Sequence, residues 1–562
     1  MTRFCLPARP WKQVGLWLSL FATVILALVI ALRCLFNHLP LFGQYHDDAL
    51  YVVTAKALAE GSGYRIISLP SAVCATKYPV IYPWVLSLIW RIKPQFPANL
   101  LALEALGVAL GFIFGLSAGL YLLGTKRVTG WIATVLVGAT LLNIKFLSFL
   151  PMPMSDLLYA VLTVSCLWLA ERIGRRGPDR FGPAAVWLAL LEVLTALTRA
   201  AGLGLVLTCG SYLAIRGKYR ALALSVVVFL GVMSPYWWWN QSNQPPGPPW
   251  LLYYTSYAQW SLNTYRDSGA ATIAINRASE AFSAVLQVVW PLITHVPYLA
   301  LSPFQYFLIY RLGYLCLWLV LIAGIYRDLI SPRRCQLALY LLIYGLAMLI
   351  WPGFLQWRLV LVVLPFLYYF YYRGFRLLSG RVKQLFRPRY KAYSWLTAAI
   401  SLCFGLYLIF GSAWSSVLKA GSYPRRMPLR EDISARDENL DSLATYAWIR
   451  DNTTDRDIFV CNNDPLLYLA TGRRAVQACG YEGWRFLGLQ FVTPDSLSVL
   501  LRQSGASYLL LDPSFGGAYL VYAELFHSAA MLSASKPGLL TPVYASPHRL
   551  ETVFKVDRAF ID

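Results

Sequence analysis

The stretch YHDDALYVVTAKALAEGSGY, residues 45–64, places two adjacent acids, Asp47 and Asp48, just after the first long hydrophobic run at residues 14–36. Acidic residues are favoured in the first turn of a helix, because the helix N-terminus carries partial positive charge. The simplest interpretation is therefore an amphipathic helix that begins at the two acids and ends near Glu60. Carboxylates next to a membrane span also mark functional sites, so a catalytic role is the second interpretation.

The sequence around this stretch is strongly apolar. Of 562 residues 58% are hydrophobic and 14% are charged, and the mean hydropathy is +0.52. Such a composition is typical of a polytopic α-helical membrane protein. Apolar runs that could cross about 30 Å of hydrocarbon predict about eleven helical spans, within a range of about nine to thirteen. These runs cover residues 14–36, 99–123, 128–149, 156–171, 183–198, 201–215, 219–239, 304–326, 335–351, 358–378 and 393–414.

Lys and Arg are concentrated in alternate loops, which orients the bundle. With a cytoplasmic N-terminus, the basic segments 126–127, 171–180, 216–220, 327–334 and 373–391 all become cytoplasmic. Residues 415–562 carry 15 Lys and Arg against 16 Asp and Glu, so the net charge of +22 belongs to the membrane part. The charge thus reflects topology, and no nucleic-acid partner is expected.

The same pattern predicts the domain organisation. Residues 1–414 form the transmembrane domain, with a first external loop with amphipathic helices at 37–98 and a long external loop at 240–303. The first apolar run is interpreted as an uncleaved signal anchor. An odd number of spans places residues 415–562 outside the cytoplasm, where alternating helical and strand-like segments predict a soluble α/β domain.

Further charged residues are predicted at the external ends of spans. Asp156 closes the second external loop, and Lys77, Arg199 and Arg358 lie at the outer ends of other spans. A basic residue at such a place either extends its side chain to the interface or pairs with an anion. Acids and cations gathered around one opening suit a phosphate-bearing substrate and a hydroxyl group that must lose a proton.

Metal and cysteine chemistry receive little support from the sequence. There are ten Cys without a CxxC pair and only five His, which argues against a structural zinc site. Adjacent carboxylates with a third acid nearby would suit Mg²⁺ or Mn²⁺, so a divalent metal stays an alternative. His46 is interpreted as an interfacial side chain, with ligand or base as alternatives. A disulfide between Cys461 and Cys479 in the C-terminal domain is also left open.

The segment 240–300 is rich in Trp, Tyr and Pro. An aromatic belt at the membrane interface is the simplest interpretation. Aromatic rings that stack on a sugar or a lipid tail would give the same pattern, so substrate recognition is the alternative.

Taken in order, several motifs resemble a known group of enzymes. The first loop, with KYPVIYPWVLSLIW at 77–90, is similar to that of the protein O-mannosyltransferase-like and lipid A aminoarabinose transferase-like enzymes of the GT-C superfamily of membrane glycosyltransferases. The order and topology of the motifs carry the resemblance, which covers most of the chain. The other matching stretches are MSDLLYAVLTVSCLWLAERI at 154–173, TALTRAAGLGLVL at 195–207, WRLVLVVLPFLYYF at 357–370 and WIRDNTTDRDIFVCNNDPLLYLATGRRAV at 448–476.

The resemblance implies a hexosyl- or pentosyltransferase of the GT-C fold in a bacterial cell membrane. It implies a polyprenyl-phosphate monosaccharide as donor, a glycan, lipid or protein as acceptor, transfer outside the cytoplasm with inversion, and no cofactor. Asp47, with Asp48 close behind, would be the general base, and Asp156 would orient the acceptor or assist the base. Lys77 and Arg358, with Arg199, would hold the donor phosphate.

Two other classes of function remain as alternatives. A lipid or glycolipid transporter would also be polytopic, but ionisable groups near mid-membrane and related halves with broken helices would be expected, whereas the acids here cluster at one face. A non-catalytic member that binds glycolipid is the second alternative, which the retained acids disfavour.

The asymmetry of Lys and Arg between loops gives a direct prediction of topology. Reporter fusions after Arg180 and Lys391 should read cytoplasmic, whereas fusions after Tyr64 and Asp562 should read external. A cytoplasmic C-terminus would place the predicted site on the wrong side of the membrane.

Overall fold

The computed structural model describes residues 42–43, 45–175, 181–289, 303–351, 357–385, 437–478, 493–512 and 519–560, together with residues 21, 24–29 and 179. The described residues before residue 386 fold mainly into helices. In chain order they are α1 (Asp47–Ala59), α2 (Ile81–Ile92), α3 (Leu100–Gly124), α4 (Gly130–Leu141), α5 (Ile144–Phe149), α6 (Asp156–Arg175), α7 (Pro183–Ala196), α8 (Gly202–Ile215), α9 (Tyr219–Ser242), α10 (Pro249–Thr255), α11 (Tyr257–Ser268), α12 (Ala270–Val289), α13 (Pro303–Leu329), α14 (Cys335–Leu349), α15 (Arg358–Leu361) and α16 (Leu364–Leu385).

Most of the predicted spans correspond to helices. By length and composition, three helices of the described ranges, α3, α6 and α9, could cross a membrane, and α2, α4, α7, α8 and α14 are shorter apolar helices. The predicted span at 128–149 is instead two helices, because the Asn143 side chain accepts hydrogen bonds from the amides of Lys145 and Phe146 and starts a new helix. The predicted span at 14–36 lies mostly, and the one at 393–414 entirely, outside the described residues, so the number of spans stays a prediction.

Two of the longest helices, α13 and α16, touch along their backbones. A Cβ atom at Gly324 would collide with the carbonyl oxygen of Phe370, and one at Gly374 with that of Val320. Small residues at a helix contact allow this close approach, which increases van der Waals contact where lipid offers no hydrophobic driving force.

A buried ion-pair cluster joins these helices to the rest of the bundle. Arg127 lies 3.2 Å from Asp328 and 3.3 Å from Glu171, and Arg373 lies 2.9 Å from Asp328. Each charge has an opposite partner, which is what burial of ionised groups requires. The cluster also shows that four of the segments predicted on one side of the membrane do lie at one end of the bundle.

Helix α1 differs from the sequence prediction. An amphipathic helix was expected, yet the residues from Asp48 to Ala55 are buried without interruption. The reason is that α1 packs against α2 on one side and against the C-terminal domain on another. The end of the bundle that carries α1 is called the domain face below.

The C-terminal domain is a mixed α/β unit, as the sequence predicted. Its five-stranded sheet has the order β2-β1-β3-β5-β4, in which β1 is parallel to β2 and β3, and β5 is antiparallel to β3 and β4. Cys461 is buried at the end of β1, and Cys479 lies outside the described residues. The elements are α17 (Asp437–Asn452), β1 (Ile458–Cys461), α18 (Asp464–Thr471), β2 (Arg474–Gln477), α19 (Pro494–Ser504), β3 (Tyr508–Leu511), α20 (Tyr519–Ser535), β4 (Leu540–Ala545), β5 (Thr552–Val556) and a 3₁₀ turn (Arg558–Phe560).

Candidate active site

A cavity of about 350 Å³ opens at the domain face of the bundle. Its wall is formed by the start of α1, the loop before α2, the turn between α7 and α8, helices α10 and α11, the end of α14 and the start of α15. Four of the charged residues singled out in the sequence line it: Asp47, Lys77, Arg199 and Arg358. Segments that are far apart in the chain thus bring one acid and three cations to one place.

Asp47 is the acid of this cavity. Its side chain is 21% exposed, and its Oδ2 lies 2.9 Å from Nη2 of Arg358. Its Oδ1 accepts a hydrogen bond of 2.7 Å from the phenol of Tyr78. Burial raises the pKa of Tyr78 well above its ordinary value of 10.0, so the phenol stays protonated and remains a donor.

The two adjacent acids have opposite environments. Burial by itself would raise the pKa of Asp47, but the charge of Arg358, the two hydrogen bonds and the charge of Lys77 lower it below its ordinary value. Burial raises the pKa of Asp48 to about 6, against the hydrogen bonds donated by the amides of Ala49 and Gly43. Asp47 is therefore the ionised acid that faces the cavity, whereas Asp48 is buried against the backbone.

Lys77 lies in an aromatic pocket beside Asp47. Its Nζ is 3.9 Å from the ring centroid of Tyr253, 5.1 Å from that of Tyr257 and 5.6 Å from that of Trp260. These distances lie within the range of cation–π attraction. The rings hold the ammonium group at the cavity wall while most of the Lys77 side chain is buried.

The third cation is held by the acid of the second loop. Nη1 of Arg199 lies 2.6 Å from Oδ2 of Asp156, which is fully buried, and 3.3 Å from the hydroxyl of Ser155. Ser155 in turn lies 3.0 Å from the hydroxyl of Tyr51 on α1. Asp156 is thus placed behind Arg199, and it is Arg199 whose side chain reaches the cavity.

The structure brings together four of the six residues that the sequence predicts for the site. They are Asp47, Lys77, Arg199 and Arg358. Asp48 and Asp156 lie close behind this group but do not line the cavity. Because the Asp48 carboxylate is bonded to backbone amides, the two adjacent acids do not form a joint ligand set for a metal. Within the described ranges, no three His, Cys, Asp or Glu side chains could hold a metal ion.

The cavity wall includes aromatic residues of the segment 240–300, which the sequence predicted mainly to form an aromatic belt at the membrane interface. Tyr253, Tyr257 and Trp260 line the cavity, whereas Trp238 on α9 is 73% exposed, as a belt residue would be. Tyr257 and Trp260 are three positions apart and lie on one side of α11, a spacing visible in the sequence. Tyr253 belongs to α10, before the extended residue Ser256 that separates the two helices.

Acids inside the apolar helices are a further difference. Glu104 on α3 and Glu192 on α7 are both buried, and Oε2 of Glu192 accepts a hydrogen bond of 2.9 Å from Ser225 on α9. The expectation that the acids cluster at one face therefore does not hold for these two residues.

The structure is similar to solved membrane glycosyltransferases. One is the archaeal oligosaccharyltransferase AglB from Archaeoglobus fulgidus in complex with an inhibitory peptide and a dolichol-phosphate, with a TM-score of 0.54 and 12% identity over 97% of this chain and 75% of that chain. The same oligosaccharyltransferase tethered to an acceptor peptide gives a TM-score of 0.55 at 12% identity, over 97% of this chain and 74% of that chain. ArnT from Cupriavidus metallidurans bound to undecaprenyl phosphate gives a TM-score of 0.50 at 16% identity, over 96% of this chain and 98% of that chain.

These neighbours are GT-C glycosyltransferases. No protein-family model matches the sequence, and no curated protein is significantly similar to it. At such low identity the likeness establishes the fold. The chain thus has the GT-C fold, which is the fold that the resemblance of its motifs predicted.

The environment of Asp48 predicts a pH-dependent stability. Its folded pKa of about 6 exceeds its ordinary value of 3.8, so the folded state takes up a proton more readily and is relatively more stable as the pH falls. The difference in unfolding free energy between wild type and Asp48→Asn should therefore favour wild type by about 1 kcal/mol more at pH 5 than at pH 8. Thermal or denaturant unfolding in detergent would measure it.

Asp441 in the C-terminal domain provides the control. The hydrogen bonds of Ser546, His548 and Leu550 outweigh burial and lower its pKa below 3.8. Because His548 bonds Asp441 at 2.9 Å and a histidine changes charge between pH 5 and pH 8, the control is made in a His548→Ala background. There Asp441→Asn should change stability equally at both pH values. A difference between wild type and Asp48→Asn that is the same at pH 5 and pH 8 would contradict the assigned environment.

Proposed function

We propose that this protein is a membrane glycosyltransferase that moves a monosaccharide from a polyprenyl-phosphate carrier to an acceptor hydroxyl at the cavity of the domain face. The observation that carries the proposal is the arrangement of one ionised carboxylate, Asp47, and three cations around a single cavity of a GT-C fold. By the Lys and Arg asymmetry, the domain face is the extracytoplasmic face. The resemblance of the motifs implies that the membrane is a bacterial cell membrane.

The cations fit the donor phosphate. When the bond between the anomeric carbon and the phosphate oxygen breaks, its electron pair stays with the polyprenyl phosphate, whose negative charge increases. Lys77 and Arg358 stabilise this developing charge, and Arg199 adds to the positive field. Arg358 is suited to the task because its guanidinium donates several hydrogen bonds in a fixed plane.

Asp47 fits the role of general base. The acceptor hydroxyl gives its proton to the carboxylate while its oxygen forms the new bond to the anomeric carbon on the side opposite to the phosphate, which inverts the configuration. Because Arg358 bonds Asp47 at 2.9 Å, a phosphate that takes over part of this guanidinium leaves Asp47 more basic. Donor binding would thus prepare the base.

The other acids receive supporting roles. Asp156 holds Arg199 at 2.6 Å and so orients a cation of the phosphate site. Asp48 fixes the backbone at the start of α1 through its bonds to Gly43 and Ala49. The aromatic side chains of Tyr253, Tyr257 and Trp260 offer apolar faces on which a sugar ring or the first prenyl units can pack.

The acceptor is a glycan, a lipid or a protein. The neighbours give examples of two ligand classes: AglB is solved with peptides and dolichol-phosphate, and ArnT with undecaprenyl phosphate. A role in transport or in binding alone would need no base in the cavity, so loss of turnover without loss of binding distinguishes the enzyme from both.

The phosphate site gives the first test of function. Lys77→Ala and Arg358→Ala should each weaken the binding of a polyprenyl phosphate by roughly 1.5–3 kcal/mol, because each removes a charge-assisted contact. Lys56→Ala is the matched control, since Lys56 also lies over an aromatic ring, that of Trp90, but outside the cavity wall. Wild-type affinity in both cavity variants would require the phosphate to bind elsewhere.

The base gives the second test. Asp47→Asn keeps the shape of the side chain but removes the proton acceptor, so turnover should fall by about 10²–10⁴-fold while donor binding survives. The donor for the assay is the polyprenyl-phosphate sugar that accumulates when the gene is deleted in its native host.

Glu60→Gln, at the exposed end of α1, is the control for the loss of a carboxylate from the same helix. It should turn over at the wild-type rate. Near-normal turnover in Asp47→Asn would contradict its role as the base, and near-normal turnover in Asp48→Asn and Asp156→Asn as well would remove the supporting roles of the other two acids.

A further inference from the structure

A buried hydrogen bond between two side chains links the start of α1 to the C-terminal domain. Nε2 of His46 lies 2.7 Å from Oδ1 of Asp464, and both side chains are almost completely inaccessible to solvent, at 1% and 0%. His46 directly precedes Asp47 and is the N-cap residue of α1, whereas Asp464 is the first residue of α18. The contact joins residues that are 418 positions apart in the chain.

A second contact acts on the same turn. Nδ2 of Asn463 donates a hydrogen bond of 2.7 Å to the carbonyl oxygen of Gly43, and the amide of Gly43 donates one of 2.7 Å to Oδ2 of Asp48. Gly43 has a φ of +88°, and a Cβ atom there would lie 2.8 Å from Nδ2 of Asn463. Glycine is therefore needed both for the backbone conformation and for the close approach of the domain.

The backbone at His46 is held in an unfavourable conformation. Its φ is 59°, in the left-handed region that residues with a side chain rarely adopt. Such a conformation costs of order 1–3 kcal/mol and persists only when the surrounding structure fixes it. The groups that fix it here include Asp464 and, through Gly43, Asn463.

We propose that Asn463 and Asp464 are positioning residues for Asp47, so that the C-terminal domain is an integral part of the active site. The proposal rests on the proposed function, because it concerns the orientation of Asp47 as the general base. The two residues act through His46 and Gly43 on the turn that starts α1. Neither Asn463 nor Asp464 is among the residues that line the cavity.

Loss of this contact should not undock the domain. The amide of Ala475 donates a hydrogen bond of 2.9 Å to the carbonyl oxygen of Ser68, and Arg474 donates one of 2.8 Å to that of Pro70. The amide of Gln477 also donates one of 2.9 Å to the phenol of Tyr254. A change at Asp464 alone should therefore release the turn while the domain remains in place.

The test is a series of variants of Asp464 in the full-length protein. Asp464→Ala should lower kcat at least 10-fold while the affinity for a polyprenyl phosphate stays within about twofold, since a misplaced general base costs rate rather than phosphate contacts. Asp464→Asn should recover most of the rate, because its amide oxygen still accepts the hydrogen bond of His46. The loss of rate in His46→Ala/Asp464→Ala should be smaller than the product of the two single losses, because the two variants remove the same hydrogen bond.

Asp441→Ala is the matched control, because Asp441 is a buried aspartate that bonds a histidine, His548, at 2.9 Å within the same domain. Its kcat, measured at one temperature and expressed per folded molecule, should equal that of the wild type. Wild-type kcat in Asp464→Ala, or an equal loss in Asp441→Ala, would overturn the proposal.

Asp47→Asn distinguishes a failure of the positioning role from a failure of the proposed base. If it is inactive while Asp464→Ala is fully active, the positioning role fails and the proposed base stands. If Asp47→Asn turns over normally, the base and its positioning residues fail together.

Discussion

The ion pair between Asp47 and Arg358 is the interaction on which the candidate site depends. It joins two residues 311 positions apart, at the start of α1 and at the start of α15. A buried charge is stable only beside an opposite one, so each residue requires the other for as long as no ligand is present. The cavity thus carries Arg358, which attracts an anion, and Asp47, which an anion bound to Arg358 would release from the ion pair.

Much of the fold could be predicted from the sequence because it depends on local pattern. Apolar runs and the alternation of basic loops predicted the membrane helices, and strand-like segments such as Asp457–Cys461 predicted the α/β domain. The break at Asn143 could not be foreseen from hydropathy, because it depends on a single side chain that caps a helix. The burial of α1 on nearly all sides depends on a domain that begins hundreds of residues later.

The site was predictable in its residue types but only partly in its geometry. The position of Asp47, Lys77, Arg199 and Arg358 at the ends of spans pointed to one opening, and the structure brings them together. Sequence could not distinguish Asp47 from Asp48, since the difference lies in which carboxylate meets the backbone amides and which meets Arg358. Nor could it show that Asp464 reaches His46, because nothing local reports a contact across 418 positions.

A structure of the protein determined with bound undecaprenyl phosphate would show whether the cavity beside Asp47 binds a polyprenyl phosphate. The phosphate should lie within hydrogen-bond distance of Lys77 and Arg358, with Arg358 drawn away from the Asp47 carboxylate. A phosphate bound elsewhere, with the contact between Asp47 and Arg358 unchanged, would contradict this prediction.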